Sequence, residues 1–399
     1  LLKIESKKVE CCAGIDFGRI EIPGFLLERL RKLLRAYEIT LEELLCSMAT
    51  PAKSYYVRVN LLKASSQQAI ALLQSEGLRF EEDGRLPEAI HSRVEGPFEL
   101  EEELAEGTVV ADRLAAESVM LGADLYAPGV ISVHGSIGST VAVRDPKGRT
   151  VGIGELVAYP NKSRRRGVIV RVSRSLFKAP KVRESRAFRE GYIYDQALPS
   201  MYVARLLSPS EGDILVDMTA SPGGKATHAF EVSGGRARVI AVDHTQSKVR
   251  RLLENIRRLE HSGIVVIKAD SRTLSKVVPG LKPTMVIVDP PCTSLGNRPR
   301  LEFSIKQEQM NNLVRLQRRL LAEASRLVAP GGTISYSTCT ITLEENEKIV
   351  AWAQRELGLS VEEPRMPVPV SRVSSEPLVR FLPGVHDTPG FFISTLKKH

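Results

Sequence analysis

An α/β fold built on a doubly wound, mostly parallel sheet is predicted for the second half of the chain. A β-rich domain precedes it, and a small α/β unit stands at the start. Three observations predict this arrangement. From about residue 185, short apolar strands alternate with amphipathic helices. Between about 106 and 178, Gly- and Val-rich segments follow one another with turn signals between them. Before that, a strand–helix–strand pattern runs to about residue 100. The domains are drawn at 1–105, 106–178 and 185–399, and 399 residues suffice for three cores.

Residues 25–48 read as helical, with Leu26, Leu27, Leu30, Leu33 and Leu34 at helical spacing. A second short helix starts at Thr40, where Thr-Leu-Glu-Glu is a capping box. Tyr55 to Asn60 alternates as a strand, and Ser65 to Gly77 turns Ala69, Ile70, Leu72 and Leu73 to one side of a helix. In the middle region Val109-Val110, Val130 to Val133, Val141 to Val143 and Val151 to Gly154 read as strands. Asp145 to Gly148 is a turn between two of them, and a helix over Ala115 to Ala123 precedes most of them. Such a pattern means a compact barrel or a small sheet.

In the last region the strands are Asp213 to Asp217, Val239 to Asp243, Ile264 to Ile267, Met285 to Asp289 and Thr333 to Ser337. One helix carries Val249, Leu252, Leu253, Ile256 and Leu259 on its apolar face, and a long one carries Leu313, Leu316, Leu320, Leu321 and Leu327. Phe391 to Ser394 reads as a closing strand.

Composition limits the function classes. Hydrophobic residues are 43% and charged residues 26%, as in soluble globular proteins. No apolar run has membrane-spanning length, and the apolar patches near the start are broken by Lys and Glu, unlike a signal peptide. Lys and Arg exceed Asp and Glu by 56 to 47, a net charge of +9 that leans toward a polyanionic partner. Five cysteines with no C-x-x-C pair argue against a zinc site, and no metal is expected. A disulfide scaffold is not expected either, and a reducing cytoplasm suits the chain. Cys11, Cys12 and Cys46 carry no motif and read as structural or incidental.

Ligands of doubly wound sheets bind at the carboxyl ends of the strands. Asp217 leads there into Ser221-Pro222-Gly223-Gly224-Lys225, where glycines permit a sharp turn and the next helix offers free N–H groups to a carboxylate. Asp243, 26 residues after Asp217, ends the second strand and suits the two hydroxyls of a ribose. Asp270 ends the third, within reach of an adenine amino group. The P-loop pattern and the dinucleotide pattern are both absent. S-adenosylmethionine is the adenosine cofactor that fits best; the plain alternative is a β–α turn with no ligand.

Two cysteines close apolar strands some fifty residues apart: Val286-Ile287-Val288-Asp289-Pro290-Pro291-Cys292 and Ile334-Ser335-Tyr336-Ser337-Thr338-Cys339. Carbon 5 of cytosine is a poor nucleophile. A thiolate adding at carbon 6 makes it an enamine able to attack a methylsulfonium, after which a base takes the carbon-5 proton and the thiol leaves. Asp289 is placed to hydrogen-bond N3 and the exocyclic amine of cytosine. Taken singly, Cys292 and Cys339 read equally well as small buried apolar residues. Pro290-Pro291 also resembles the turn of amino-group methyltransferases, but the stacking aromatic which those enzymes need is replaced by Cys.

At these residues the chain resembles the NOL1/NOP2/Sun family of RNA cytosine-5 methyltransferases. Asp217 to Lys225 is similar to the family's cofactor loop, Asp289 to Cys292 to its Asp-x-Pro-Cys motif, and Thr338-Cys339 to its Thr-Cys motif. Arg58 to Lys63 resembles an N-terminal strand of the family, and Pro383-Gly384 through Gly390-Phe391-Phe392 its closing segment. The resemblance implies a Rossmann-like S-adenosylmethionine-dependent domain over 185–399 and a small RRM-like unit near the start. Val109 to Asp112 and Gly122 to Val130 are similar to a PUA domain, an RNA-binding module, over 106–178.

The subgroup with an inserted PUA methylates the tRNA acceptor end near the CCA tail, which implies tRNA as partner and a monomer. Carried over by position, Cys339 is the nucleophile and Cys292 assists product release. Thr219, Ala220, Ser221, Pro222, Gly223, Gly224, Lys225, Asp243, Lys248, Asp270 and Asp289 line the cofactor site, with Lys225 and Asp289 also facing the base. The chain departs from the family at Ser221 (usually Ala), at Thr293-Ser294 (usually Ser-Gly) and at Asp387-Thr388-Pro389-Gly390. Candidate RNA contacts are Tyr126, Lys162, Arg164, Arg165, Arg166 and Arg298, with Lys178 to Arg183 and Arg300 as further cations. Two rivals stay open: the same chemistry on ribosomal RNA, and an RNA-binding scaffold without catalysis.

Overall fold

The central sheet of the last domain grows outward from Ile214–Asp217. A computed structural model describes residues 20, 22–160 and 167–399. Ile264–Lys268, Arg238–Asp243, Ile214–Asp217, Met285–Val288 and Thr333–Thr338 lie side by side in that order, all parallel. Phe391–Lys397 then pairs antiparallel with Thr333–Thr338. The inner strands are buried on both faces, as their unbroken Val and Ile runs require: Val286, Ile287 and Val288 are all inaccessible. Leu198–Leu207, Gly224–Val232 and Gln246–Arg258 supply one apolar cluster against the sheet, and Gln307–Leu327 with Glu347–Leu357 the other. The strand order reverses between Ile214–Asp217 and Met285–Val288, which opens the crevice where such folds bind ligands.

The middle domain is a mixed sheet in which Gly107–Ala111 runs parallel to Thr140–Arg144 and the other pairs are antiparallel. Its one α-helix, among the described residues, is Arg113–Val119, capped by Asp112. The first helices are Gly24–Tyr37 and Leu41–Ala49, and the second opens on the expected Thr40 capping box.

The small α/β unit holds a surprise. Its antiparallel sheet takes Ser54–Val59, Ala89–Arg93 and Glu81–Glu82, but its outer strand is Ile193–Asp195. This unit is therefore made of two pieces of chain on either side of the middle domain. Three residues are too few to show a period in sequence; the exposed edge of Ser54–Val59 is what recruits them.

The first helices, the middle domain and the loop after Cys292 share one core. Leu26, Leu45, Val143, Leu156, Leu295, Leu301 and Phe303 belong to a single buried cluster. Arg149 donates to the Leu301 carbonyl at 2.8 Å, and the Leu301 N–H donates to Glu117 at 2.9 Å. Cys46, read from sequence as structural or incidental, is disulfide-bonded, while Cys11 and Cys12 lie outside the described residues. No described helix is long and apolar enough to cross a membrane.

Candidate active site

Strand ends converge on a cavity of about 560 Å³ lined by Thr219, Ser221, Asp243, Lys248, Asp270, Asp289, Cys292 and Cys339. A second cavity of about 460 Å³ adjoins it over Ala220, Pro222, Gly224 and Lys225, and shares Thr219, Ser221 and Asp289. Of the catalytic and cofactor candidates, Gly223 alone borders neither. It turns the chain at φ +115°, and an ideal Cβ there would sit 3.0 Å from Leu252. Its work is the turn and close packing.

The adenosine end fits what the residues offer. The helix Gly224–Val232 has no side-chain cap, so its first-turn N–H groups are left for an anionic ligand. Asp243 is steadied by the N–H groups of Ser221 at 3.2 Å and His244 at 2.7 Å, with Lys248 Nζ 3.7 Å away. A fixed carboxylate at the second strand end is the group a ribose needs. Asp270 is held by the Arg272 guanidinium through contacts of 2.6–3.0 Å, so reaching an adenine amine requires it to share that partner. Beneath the turn, burial pushes the Asp217 carboxyl up to about 7.

Asp289 is the hub of the reacting end. Lys225 Nζ lies 2.6 Å from one of its oxygens and Ser337 Oγ donates to the other at 2.8 Å. Its backbone is pinned by the Thr219 hydroxyl, which donates to the Asp289 carbonyl at 2.9 Å. Burial works against the Lys225 ammonium, but the charge of Asp289 and their hydrogen bond outweigh it and raise its pKa. The ammonium also lies 5.5 Å from the centroid of the Phe391 ring.

The two thiols meet, with Cys292 Sγ and Cys339 Sγ 3.3 Å apart. The hydrogen bond from Cys292 holds Cys339 below the ordinary thiol range despite burial, helped by Ser294 and the Lys225 charge. The same bond, then burial and the nearby Glu345 carboxylate, push Cys292 well up. When the pair gives up a proton, it is therefore Cys339 that takes the charge more readily.

Sequence reasoning missed the residue that joins the two cysteine loops. Glu345 stands in what reads as a solvated acidic helix start, yet it is fully buried. It accepts from the Thr293 N–H at 2.9 Å, the Thr293 hydroxyl at 2.6 Å, the Thr342 hydroxyl at 2.8 Å and Gln317 Nε2 at 3.0 Å. The signal was Thr342-x-x-Glu345, a capping-box spacing. Gly296 was missed too. Its N–H donates to the Cys339 carbonyl and its own carbonyl accepts from Gly390, and a Cβ on it would lie 2.1 Å from the Gly390 oxygen.

The RNA candidates fare unevenly. Tyr126 is half exposed on the middle domain. Lys162, Arg164, Arg165 and Arg166 lie outside the described residues. Arg298 is a correction. Its side chain is only 5% exposed, and it donates to the carbonyls of Thr50 at 3.1 Å and Pro51 at 3.0 Å, with Asp387 at 3.4 Å. It stitches the first helices to the closing segment and is not free for a phosphate. Arg300 is likewise buried, donating to the Ser294 carbonyl at 2.9 Å. Among the described residues, no cluster of three or more His, Cys, Asp or Glu is placed to hold a metal ion.

Known proteins resemble this chain along most of its length. The family described as 16S rRNA methyltransferase RsmB/F matches residues 204–397, and the PUA domain matches 107–163. The tRNA (cytosine(72)-C(5))-methyltransferase of Pyrococcus horikoshii is 38% identical, covering 93% of this chain and 98% of that protein. The mouse tRNA (cytosine(72)-C(5))-methyltransferase NSUN6 is 30% identical over 82% of this chain and 76% of its own. The crystal structure of NSun6 from Pyrococcus horikoshii with SFG matches with a TM-score of 0.82 at 36% identity, covering 92% of this chain and 98% of that one.

Proposed function

We propose, since the chain belongs to the Sun family of RNA cytosine-5 methyltransferases and joins its RsmB/F domain to a PUA domain, that it methylates tRNA at cytosine 72, beside the CCA end. The chain is an S-adenosylmethionine-dependent RNA cytosine-C5 methyltransferase; what is inferred is the target and the role of each residue. The carrying observation for the chemistry is the thiol pair at 3.3 Å beside the Lys225–Asp289 ion pair. For the target, it is the match along almost the whole chain to a tRNA (cytosine(72)-C(5))-methyltransferase.

When bound, S-adenosylmethionine supplies the methyl group. Asp243 and the first turn of Gly224–Val232 hold its ribose and carboxylate. Cys339, as thiolate, bonds to carbon 6 of the flipped cytosine and so pushes electron density to carbon 5. Asp289 accepts from the exocyclic amine, a donor that uracil lacks. Lys225 fixes Asp289 and favours the thiolate electrostatically. Once carbon 5 carries the methyl group, its proton passes to a base, the electrons of that C–H bond re-form the 5,6 double bond, and Cys339 departs as the Sγ–C6 bond breaks. Cys292 assists that release. A target at the end of a stem frays easily, which lowers the cost of flipping it.

Labelled methyl transfer to tRNA transcripts with and without the CCA tail, followed by bisulfite sequencing, tests this reading. Methylation at cytosine 72 that depends on the tail is expected; methylation elsewhere, or none on tRNA, overturns it. One observation favours a second reading: the matched family description names 16S rRNA. Small-subunit RNA in the same assay decides between them.

A further inference from the structure

Ser294 occupies a position where the Sun family usually has glycine, and its backbone shows why glycine suits it. Its φ is +52°, in the left-handed region that a side chain disfavours. The rest of the loop holds it there. The Ser294 carbonyl accepts from Arg300 at 2.9 Å and from the Asn297 N–H at 3.2 Å. Two residues later, Gly296 is locked between Cys339 and Gly390. The neighbouring departure is conservative by comparison, because Thr293 keeps a hydroxyl and spends it on Glu345 at 2.6 Å.

The Ser294 side chain is aimed at the reacting atoms. As a thiol, Cys339 donates its S–H to the Ser294 Oγ at 3.4 Å; Cys292 Sγ lies 3.9 Å from the same oxygen, and Ser294 lines the cavity that holds both thiols. Once ionised, the Cys339 sulfur can only accept, and the Ser294 hydroxyl, free to rotate, turns its proton toward it. Cys339 sits half-buried in the cavity, where an anionic sulfur needs donors to replace lost water.

We propose that Ser294 is a further catalytic side chain, a hydroxyl that donates to the Cys339 sulfur whenever it carries negative charge, both before attack on the base and as it leaves. This rests on the covalent chemistry inferred above and adds to it a donor that a glycine in this place could not supply. The donation moves no atom permanently: the hydroxyl proton stays on Ser294, and the hydrogen bond strengthens as sulfur gains charge and weakens as the Sγ–C6 bond forms.

The test is Ser294→Gly, which removes the hydroxyl and relaxes the backbone together. The readout is the rate of Cys339 alkylation by iodoacetamide across pH, followed by peptide mass spectrometry; the two cysteines fall on different tryptic peptides. Neither RNA nor cofactor takes part, so this result is independent of whether methyl transfer to tRNA succeeds. Expected is a roughly three- to tenfold slower alkylation of Cys339 at neutral pH, the size of one lost hydrogen bond of ordinary net strength, with thermal stability equal to or above the parent's. Ser294→Asn, whose side chain tolerates the left-handed region and still donates, is expected to recover most of the rate. An unchanged Cys339 rate profile in Ser294→Gly, or a loss that Ser294→Asn does not recover, overturns the proposal.

Discussion

Replacing Glu345 should loosen both cysteine loops at once, and the structure sets the size of the effect. One carboxylate oxygen takes two N–H donors, from the Thr293 backbone at 2.9 Å and Gln317 Nε2 at 3.0 Å. The other takes the hydroxyls of Thr293 and Thr342. Hydroxyls can turn to other partners, and that of Thr293 already has the Thr340 hydroxyl 2.6 Å away. The Thr293 N–H cannot turn. Glu345→Ala therefore strands one or two buried N–H donors at about 1–3 kcal/mol each, or about 2–5 kcal/mol together with the hole. Glu345→Gln keeps a carbonyl oxygen toward the N–H groups and gives up only the charge-assisted part, about 1–2 kcal/mol. Urea unfolding measures these costs. Single-turnover methyl transfer on the folded fraction should fall roughly a hundredfold in the Ala variant, as expected for about 1 Å of misplacement. Parental stability in Glu345→Ala, or full transfer rate despite lost stability, would refute the idea that this carboxylate sets the spacing of the thiols.

The other expectations are briefer. Cys339→Ala should abolish turnover and any covalent RNA adduct, whereas Cys292→Ala should let an adduct accumulate on denaturing gels; adduct that needs Cys292 and survives loss of Cys339 would reverse the two roles. Lys225→Met should move the acid limb of the pH–rate profile to higher pH, because a cation that favours the Cys339 thiolate is gone; an unmoved limb would exclude that contribution. His261 is depressed to about 3 by burial and by the Arg58 and Arg258 charges. It is neutral when folded, so its contribution to stability is present above about pH 6.5 and lost as pH falls toward 3, where the unfolded chain binds the extra proton. Urea unfolding of His261→Phe should show a shallower fall over that window, and an equal slope would contradict the assignment.

Much of the site was legible because the chemistry-bearing residues sit at strand ends, where an apolar run stops. Asp217, Asp243, Asp289 and Cys339 each close such a run, and the parallel sheet gathers them without help from long-range guesswork. What hid was what depends on burial. Glu345 looks like surface charge until four donors are seen to surround it. Arg298 looks like a phosphate ligand until the carbonyls of Thr50 and Pro51 enclose it. The strand Ile193–Asp195 hid for another reason. A three-residue segment has no period, and its partner Ser54–Val59 lies more than a hundred residues away in sequence.

The seam at Leu301 has a metric consequence. Arg149 and Glu117 of the PUA domain clasp the carbonyl and the N–H of one residue, nine positions after Cys292. Whatever grips a strand's end on that domain is thereby a set span from the thiols, like a workpiece stop on a lathe bed. If the proposed tRNA end is what that domain grips, the nucleotide that receives the methyl group would be chosen by counting inward from the terminus, and a longer or shorter tail would present the wrong neighbour to the same sulfur.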